Sequence, residues 1–336
     1  MSGQVITETV SDKEAGVRLD RWVKRRTKIT QGQIEKLLRT GQIRVDGARA
    51  KANTRLEAGM SVRLPPMAPE MASSKPKQTI KESDRAYMRD LVIYEDDEMI
   101  ALNKPSGIAV QGGTKTTRHI DGMLGGLSDG EHRPKLVHRL DRDTSGVLLV
   151  AKHPAAAARL GNLFRSREMA KVYWAVTVGV PHPSAGQLRG WMAKGIGSEE
   201  EAERGQRPDR EKMYAAQQND EGARHAVTDY VVVSTAARRA AWVALRPQTG
   251  RTHQLRFHMA EIGSGILGDP KYKTGREVPQ GVGAGLHLHA RALIVPKKSG
   301  RPVEIVAPIS GHMRETFDTL GFLEREAGDD PQELFA

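Results

Sequence analysis

Asp141 stands in the run His138-Arg139-Leu140-Asp141-Arg142-Asp143-Thr144-Ser145-Gly146, which passes straight into the apolar Val147-Leu148-Leu149-Val150. A carboxylate with arginines on either side, set between two apolar runs, costs too much to be placed there for packing alone. It reads as an ionised group held by a cation, available for chemistry. The residues that follow, Asp143-Thr144-Ser145-Gly146, have the composition of a turn that aims Asp141, with hydroxyls closing local hydrogen bonds. Other titratable patterns carry less. His287-x-His289 has metal-ligand spacing on a strand, but no carboxylate cluster accompanies it, so both histidines read as structural. Asp269 in Gly268-Asp269-Pro270 reads as turn chemistry. No metal site is expected.

The elements that must position these residues are mixed α and β. Alternation and apolar runs predict a hairpin from Val92-Ile93-Tyr94 to Met99-Ile100-Ala101-Leu102, and strands over 172–178, 227–233, 242–245, 286–294 and 303–306. Helices are predicted over 155–167 and 252–262, the second starting directly after Gly250-Arg251. Residues 195–224 are charged and without apolar period, as in an insertion or arm, and the acidic tail past Arg325 reads as frayed. Ahead of this part, residues 1–66 form a basic module. Leu19, Trp22 and Val23, then Ile34, Leu37 and Leu38, fall at helical spacing, and Asp46-Gly47 is a favoured hairpin turn. Residues 67–90, rich in Pro, Ser, Lys and Glu, read as a flexible linker to a catalytic part over 91–325, with 326–336 as tail.

The chain has 336 residues, a net charge of +11 and no cysteine, which excludes disulfides and thiolate metal sites. Residues 1–64 hold 14 Lys and Arg against 7 Asp and Glu. Arg21, Lys24, Arg25, Arg26 and Lys28 cluster on the first predicted helix and its end, with Arg44 beyond. Such a cluster in a small helical module points to a polyanionic partner rather than to solubility alone. Aromatic residues make up only 4%, so backbone and shape recognition is expected over extensive base stacking. No stretch has the length of a membrane span or signal peptide, and a cytoplasmic monomer is expected.

The run around Asp141 resembles the HRLDxxTSG signature of the pseudouridine synthases of the large-subunit ribosomal RNA type. Further blocks follow in the family's order: Asn103-Lys104-Pro105-Ser106-Gly107, Lys171-Val172-Tyr173, Gly250-Arg251-Thr252-His253-Gln254-Leu255-Arg256, Gly268-Asp269-Pro270-Lys271-Tyr272 and Leu288-His289-Ala290. The N-terminal module resembles the alpha-L RNA-binding fold of a small-subunit ribosomal protein. Within the family the run from Leu136 to Lys152 is most similar to the type C branch. Gln111 and Val295-Pro296-Lys297-Lys298 depart from the usual pattern, which bears on the choice of uridine.

The resemblance implies an α+β synthase fold and isomerisation of uridine to pseudouridine without cofactor or metal. It implies Asp141 as the catalytic carboxylate, Arg251 as its cationic partner, and Tyr173 against the uracil face, where its hydroxyl could take part in removing the C5 proton. Arg139 would enter the RNA helix in place of the flipped base, unless it merely pairs with Asp141 or Asp143. The implied partner is large-subunit ribosomal RNA or a pre-ribosomal particle. Three rivals remain: a transfer-RNA synthase, a non-catalytic ribosome assembly factor, and a haloacid-dehalogenase-like phosphatase, whose DxDxT motif Asp141-Arg142-Asp143-Thr144-Ser145 approaches.

Overall fold

Helical apolar spacing in the first 66 residues becomes α1 (Leu19–Arg26) and α2 (Gln31–Arg39) in the computed structural model, which describes residues 5–27, 29–66, 80–113, 116, 118–195 and 212–336. Thr30 caps α2, its hydroxyl accepting from the Gln33 N–H while the Gln33 side chain returns to the Thr30 N–H. The two helices bury Leu19, Trp22, Val23, Ile34, Leu37 and Leu38 in one core with Ile43 and Val62. Beside them lie β1 (Ile6–Thr9), β2 (Arg44–Val45), β3 (Ala48–Arg49) and β4 (Ser61–Leu64), in the order β1-β4-β2-β3. The Asp46-Gly47 turn takes positive φ at both residues, as its hairpin requires. β1 was not foreseen.

The chain divides between Thr79 and Ile80 into two units. Of the expected linker, residues 67–79 lie outside the described residues, while Glu82–Asp90 forms a helix, α3, burying Met88. The linker reading fails there because Tyr87, Met88 and Leu91 give that stretch an apolar face.

The second unit is built on a sheet of β5 (Val92–Glu95), β6 (Met99–Lys104), β7 (Lys135–Leu136), β8 (Ser145–Ala151), β9 (Ala170–Val178), β10 (Ala185–Lys194), β11 (Met213–Ala216), β12 (Arg224–Ala236), β13 (Ala240–Pro247), β14 (Leu288–Val295) and β15 (Val303–Val306). Its main path runs β11-β10-β12-β13-β9-β14-β8-β6-β5, with β15 on β14 and β7 on β8. Helices are α4 (Ile120–Met123), α5 (Pro154–Ser166), α6 (Gln254–Glu261) and α7 (His312–Leu320). Strand alternation divides the core between two faces. Val172, Trp174, Val176 and Trp242 pack against Phe317 of α7, with Trp174 and Trp242 edge to face at 4.6 Å. Ala175, Val243 and Leu245 face Leu255 and Met259 of α6.

Other expectations change, and α4 and α7 were not foreseen. β10 and β11 were not foreseen; β11 falls in the stretch read as an arm, of which 196–211 lie outside the described residues. The tail is docked, not frayed: Ala327 is buried and Leu334 and Phe335 pack on the Trp174 core. The parallel pairing of β14 on β8 brings the backbones close at Gly146 (φ 103°), where a Cβ would lie 2.2 Å from the Ala290 oxygen. This glycine opens the strand that follows the Asp141 loop.

Candidate active site

Asp141 begins a tight turn, its carbonyl accepting from the Thr144 N–H at 3.2 Å just before β8. The turn is held from below by Lys104, which is fully buried and donates to the carbonyls of Pro105, Ile108 and Arg142 at 2.8–2.9 Å. Burial pulls the Lys104 ammonium down to about 7 against the attraction of Asp143 and Asp141. Ser106 Oγ donates to the Asp143 carbonyl and the Gly107 N–H to that of Arg142, so the Asn-Lys-Pro-Ser-Gly block is a clamp on the aspartate loop. His138 stacks on Phe164 of α5 at 4.3 Å and accepts the Leu149 N–H at 2.8 Å. Burial, helped by Lys171, pushes that imidazole down to about 3, which keeps it the neutral acceptor this bond needs.

The cation nearest Asp141 is Arg256, whose Nη1 lies 3.5 Å from Asp141 Oδ2. Arg256 projects from α6, a helix buried on nearly all sides. Its Nε and Nη2 donate to Asp269 at 2.7 Å each, and Asp269 also accepts the Lys271 and Tyr272 N–H groups. Asp269 therefore closes a turn, as expected, but it is also the brace of the buried arginine. Burial opposes the Arg256 charge, yet this two-pronged pair outweighs it and raises the guanidinium pKa. His253 offers a second contact, Nε2 at 3.7 Å from Asp141 Oδ2. The Met213 N–H donates to the Tyr272 hydroxyl, which in turn is 3.0 Å from His253 Nδ1. In the tautomer where the hydroxyl gives its proton to Nδ1, the Nε2 proton faces the carboxylate.

Arg251 is not the partner that the resemblance implied. It lines the same cleft, but its Nε donates to the His225 carbonyl at 3.1 Å, and burial together with Arg167 and Arg224 lowers its pKa. The reason is local geometry. Residues 250–253 precede α6, with His253 left-handed at φ 52°. Buried Gln254 holds this turn, accepting from Thr249 Oγ1 and the Arg251 N–H and donating to the Val227 carbonyl and Thr228 Oγ1. One helical turn later the chain has rotated inward, and Arg256 points at Asp141.

The cleft encloses about 210 Å³ and is lined by Arg139, Asp141, Lys171, Tyr173, Arg251 and Arg256, among others. Tyr173 stands on β9 with its pKa pushed up by burial and by Asp141, so the phenol stays protonated. It offers a flat ring and a hydroxyl, not a ready phenolate base. Arg139 is exposed and forms no ion pair among the described residues; Arg142 pairs with Asp143 instead, at 3.2 Å. The structural-pair reading of Arg139 fails, and its guanidinium is free at the cleft. His289 bonds to Ser145 Oγ and the Ala307 carbonyl, and His287 to Thr316 Oγ1 and the Gly285 carbonyl, so both imidazoles are committed within the protein.

Residues 98–261 match the family described as RNA pseudouridylate synthase, and residues 17–62 match the S4 domain. The chain is 36% identical over 288 residues to "Ribosomal large subunit pseudouridine synthase C" of Rickettsia conorii, covering 84% of this chain and 89% of that one. It belongs to the RNA pseudouridylate synthase family. The protein of the same name from Vibrio cholerae is 33% identical over 93% of this chain and 95% of its own length. The solved structure titled "Human RNA Pseudouridylate Synthase Domain Containing 4" is 29% identical, with a TM-score of 0.57 over 71% of this chain and 97% of that one. The α+β synthase fold and isomerase class expected from the sequence therefore hold, and the phosphatase reading is not favoured. The second aspartate of the apparent DxDxT motif, Asp143, turns outward to Arg142.

Within the S4 domain the basic residues part company. Arg21, Lys24 and Arg25 are exposed on α1 at i, i+3 and i+4, with no ion pair among the described residues. Arg26 is tied to Glu8 and Glu14 at 2.6 and 2.8 Å and covers the Trp22 ring. Arg44 donates to the carbonyls of Gly41 and Gly47. These two brace the module. Lys28 lies outside the described residues. No helix among the described residues is long and apolar enough to cross a membrane.

Proposed function

We propose that this synthase isomerises specific uridines of large-subunit ribosomal RNA, with Asp141 as the ionised carboxylate beside the ribose of a flipped nucleotide. The observation that carries the reading is the Asp141–Arg256–Asp269 chain at the floor of a cleft sized for one base and its sugar. The reaction breaks the N1 to C1′ bond, turns the uracil, joins C5 to C1′, and moves the C5 proton off so that N1 regains one. No atoms are gained or lost, and no redox step is needed. Asp141 supplies the charge next to C1′, Tyr173 the surface on which the uracil turns, and Arg139 the side chain that takes the vacated place in the RNA. Arg251 holds RNA at the cleft mouth rather than Asp141. Arg21, Lys24 and Arg25 take phosphates.

The Asp141→Asn protein keeps shape and loses charge, so pseudouridine formation should stop while RNA still binds. Turnover above a few per cent of wild type would overturn the assignment. The substrate is tested by mapping pseudouridine in cellular RNA with and without the protein. Loss confined to transfer RNA would replace the ribosomal reading.

A further inference from the structure

Three of the four tryptophans are core residues: Trp22, Trp174 and Trp242 are 0, 3 and 0% exposed. The fourth, Trp191, is partly exposed. It lies on β10 directly opposite His225 of β12, and the two rings meet edge to face at 5.3 Å. This pair stands where β12 has run past β13, whose pairing with β12 begins only at Thr228. The tip reaches the cleft through the bond from Arg251 Nε to the His225 carbonyl. Arg167 and Arg224 lie close enough to Arg251 to disfavour its charge, and among the described residues no carboxylate pairs with any of the three. A large flat ring beside a cluster of unneutralised cations suits a nucleobase with its phosphates.

We propose that Trp191, edged by His225, is a stacking platform for an unpaired base of the RNA next to the target uridine, with Arg251, Arg224 and Arg167 taking the adjoining phosphates. The proposal rests on the RNA-modifying reading above and adds a subsite to it. It also limits the expectation, drawn from scarce aromatic residues, that stacking plays little part: one platform suffices for one neighbouring base.

The test is tryptophan fluorescence of the full-length protein during titration with single-stranded decauridylate, in wild type, Trp191→Phe and Trp191→Ala. Because the other three indoles are buried, stacking on Trp191 should quench the wild-type signal. Trp191→Phe should bind with little loss and without the quench, and Trp191→Ala should bind roughly 5- to 100-fold more weakly. Heparin, which has the charge and no bases, should bind without quenching. A quench that persists in Trp191→Phe, an equal quench by heparin, or unchanged decauridylate affinity in a folded Trp191→Ala would each overturn the platform. Should Trp191→Ala fail to fold, the Phe variant and heparin decide alone. The readout is binding, so quenching with no pseudouridine formed would refute the proposed function and leave the platform, while turnover without quenching would do the reverse.

Discussion

Replacing Arg256 with Met separates the two tasks assigned to this side chain. The first is structural. The Asp269 side chain is fully buried, and Arg256 supplies two of its hydrogen bonds at 2.7 Å. Breaking one side of a buried pair typically costs ~3–5 kcal/mol, because the remaining charge is left without a partner. For a unit of this size that corresponds to a melting shift of roughly 6–20 °C. The second task is at the reaction centre, where the guanidinium lies 3.5 Å from Asp141. At an effective dielectric of ~20 that separation gives about 5 kcal/mol of gross attraction. If half of it serves to hold and orient the carboxylate for the transition state, its loss lowers the rate by roughly 50-fold. The double variant Arg256→Met/Asp269→Asn distinguishes the tasks: it removes the stranded charge, so stability should return in part, while Asp141 still lacks its cation. Urea unfolding and single-turnover rates at saturating RNA, well below the melting transition, measure both. A double variant whose rate recovers in step with its stability would refute the reasoning, since Arg256 would then act only through folding. Arg251→Met is the matched comparison, expected to leave the melting temperature nearly unchanged and to weaken RNA binding.

Gly146→Ala forces a Cβ to 2.2 Å from the Ala290 oxygen at a left-handed φ, so it should abolish soluble, active protein, whereas Gly190→Ala, with nothing within 4 Å, should melt close to wild type. Equal melting of the two would contradict the close approach of β8 and β14. Arg21→Ala/Lys24→Ala/Arg25→Ala should reduce the salt slope of RNA binding by about 2–3, while Arg26→Ala should leave the slope and lower the stability of the module; the opposite pattern would exchange their roles. His258, His287 and His289 are pushed down to about 4 and His138 to about 3, each chiefly by burial. Below pH 6.5 the unfolded chain then binds protons that the folded one refuses, so stability should be full above 6.5 and fall steadily toward pH 4. A urea midpoint flat over that range would show that these imidazoles are not held neutral.

The sequence made Asp141 legible because an aspartate between arginines and apolar runs has few uses, and it made α1, α2, α5, α6 and the central strands legible through their apolar periods, while α4 and α7 went unread. β1 and most of β10 face solvent and so carry no apolar alternation, β11 is a short run beside a charged stretch, and Glu82–Asp90 was hidden by a high charge content around a single buried methionine. The Arg251 assignment failed for a different reason. Both arginines of Gly250-Arg251-Thr252-His253-Gln254-Leu255-Arg256 lie within a few residues of the helix start, and spacing alone does not say where the first turn begins. A signal was nonetheless present. Arg256 sits between Leu255 and Phe257, with Met259 close behind, and a guanidinium in such company must find a buried anion. Glu261 ends the helix exposed, so Asp269 on the following turn was the candidate. Pairing those two by the cost of leaving either alone would have put the cation on the inner face of the helix, toward Asp141, and left Arg251 outside for the RNA.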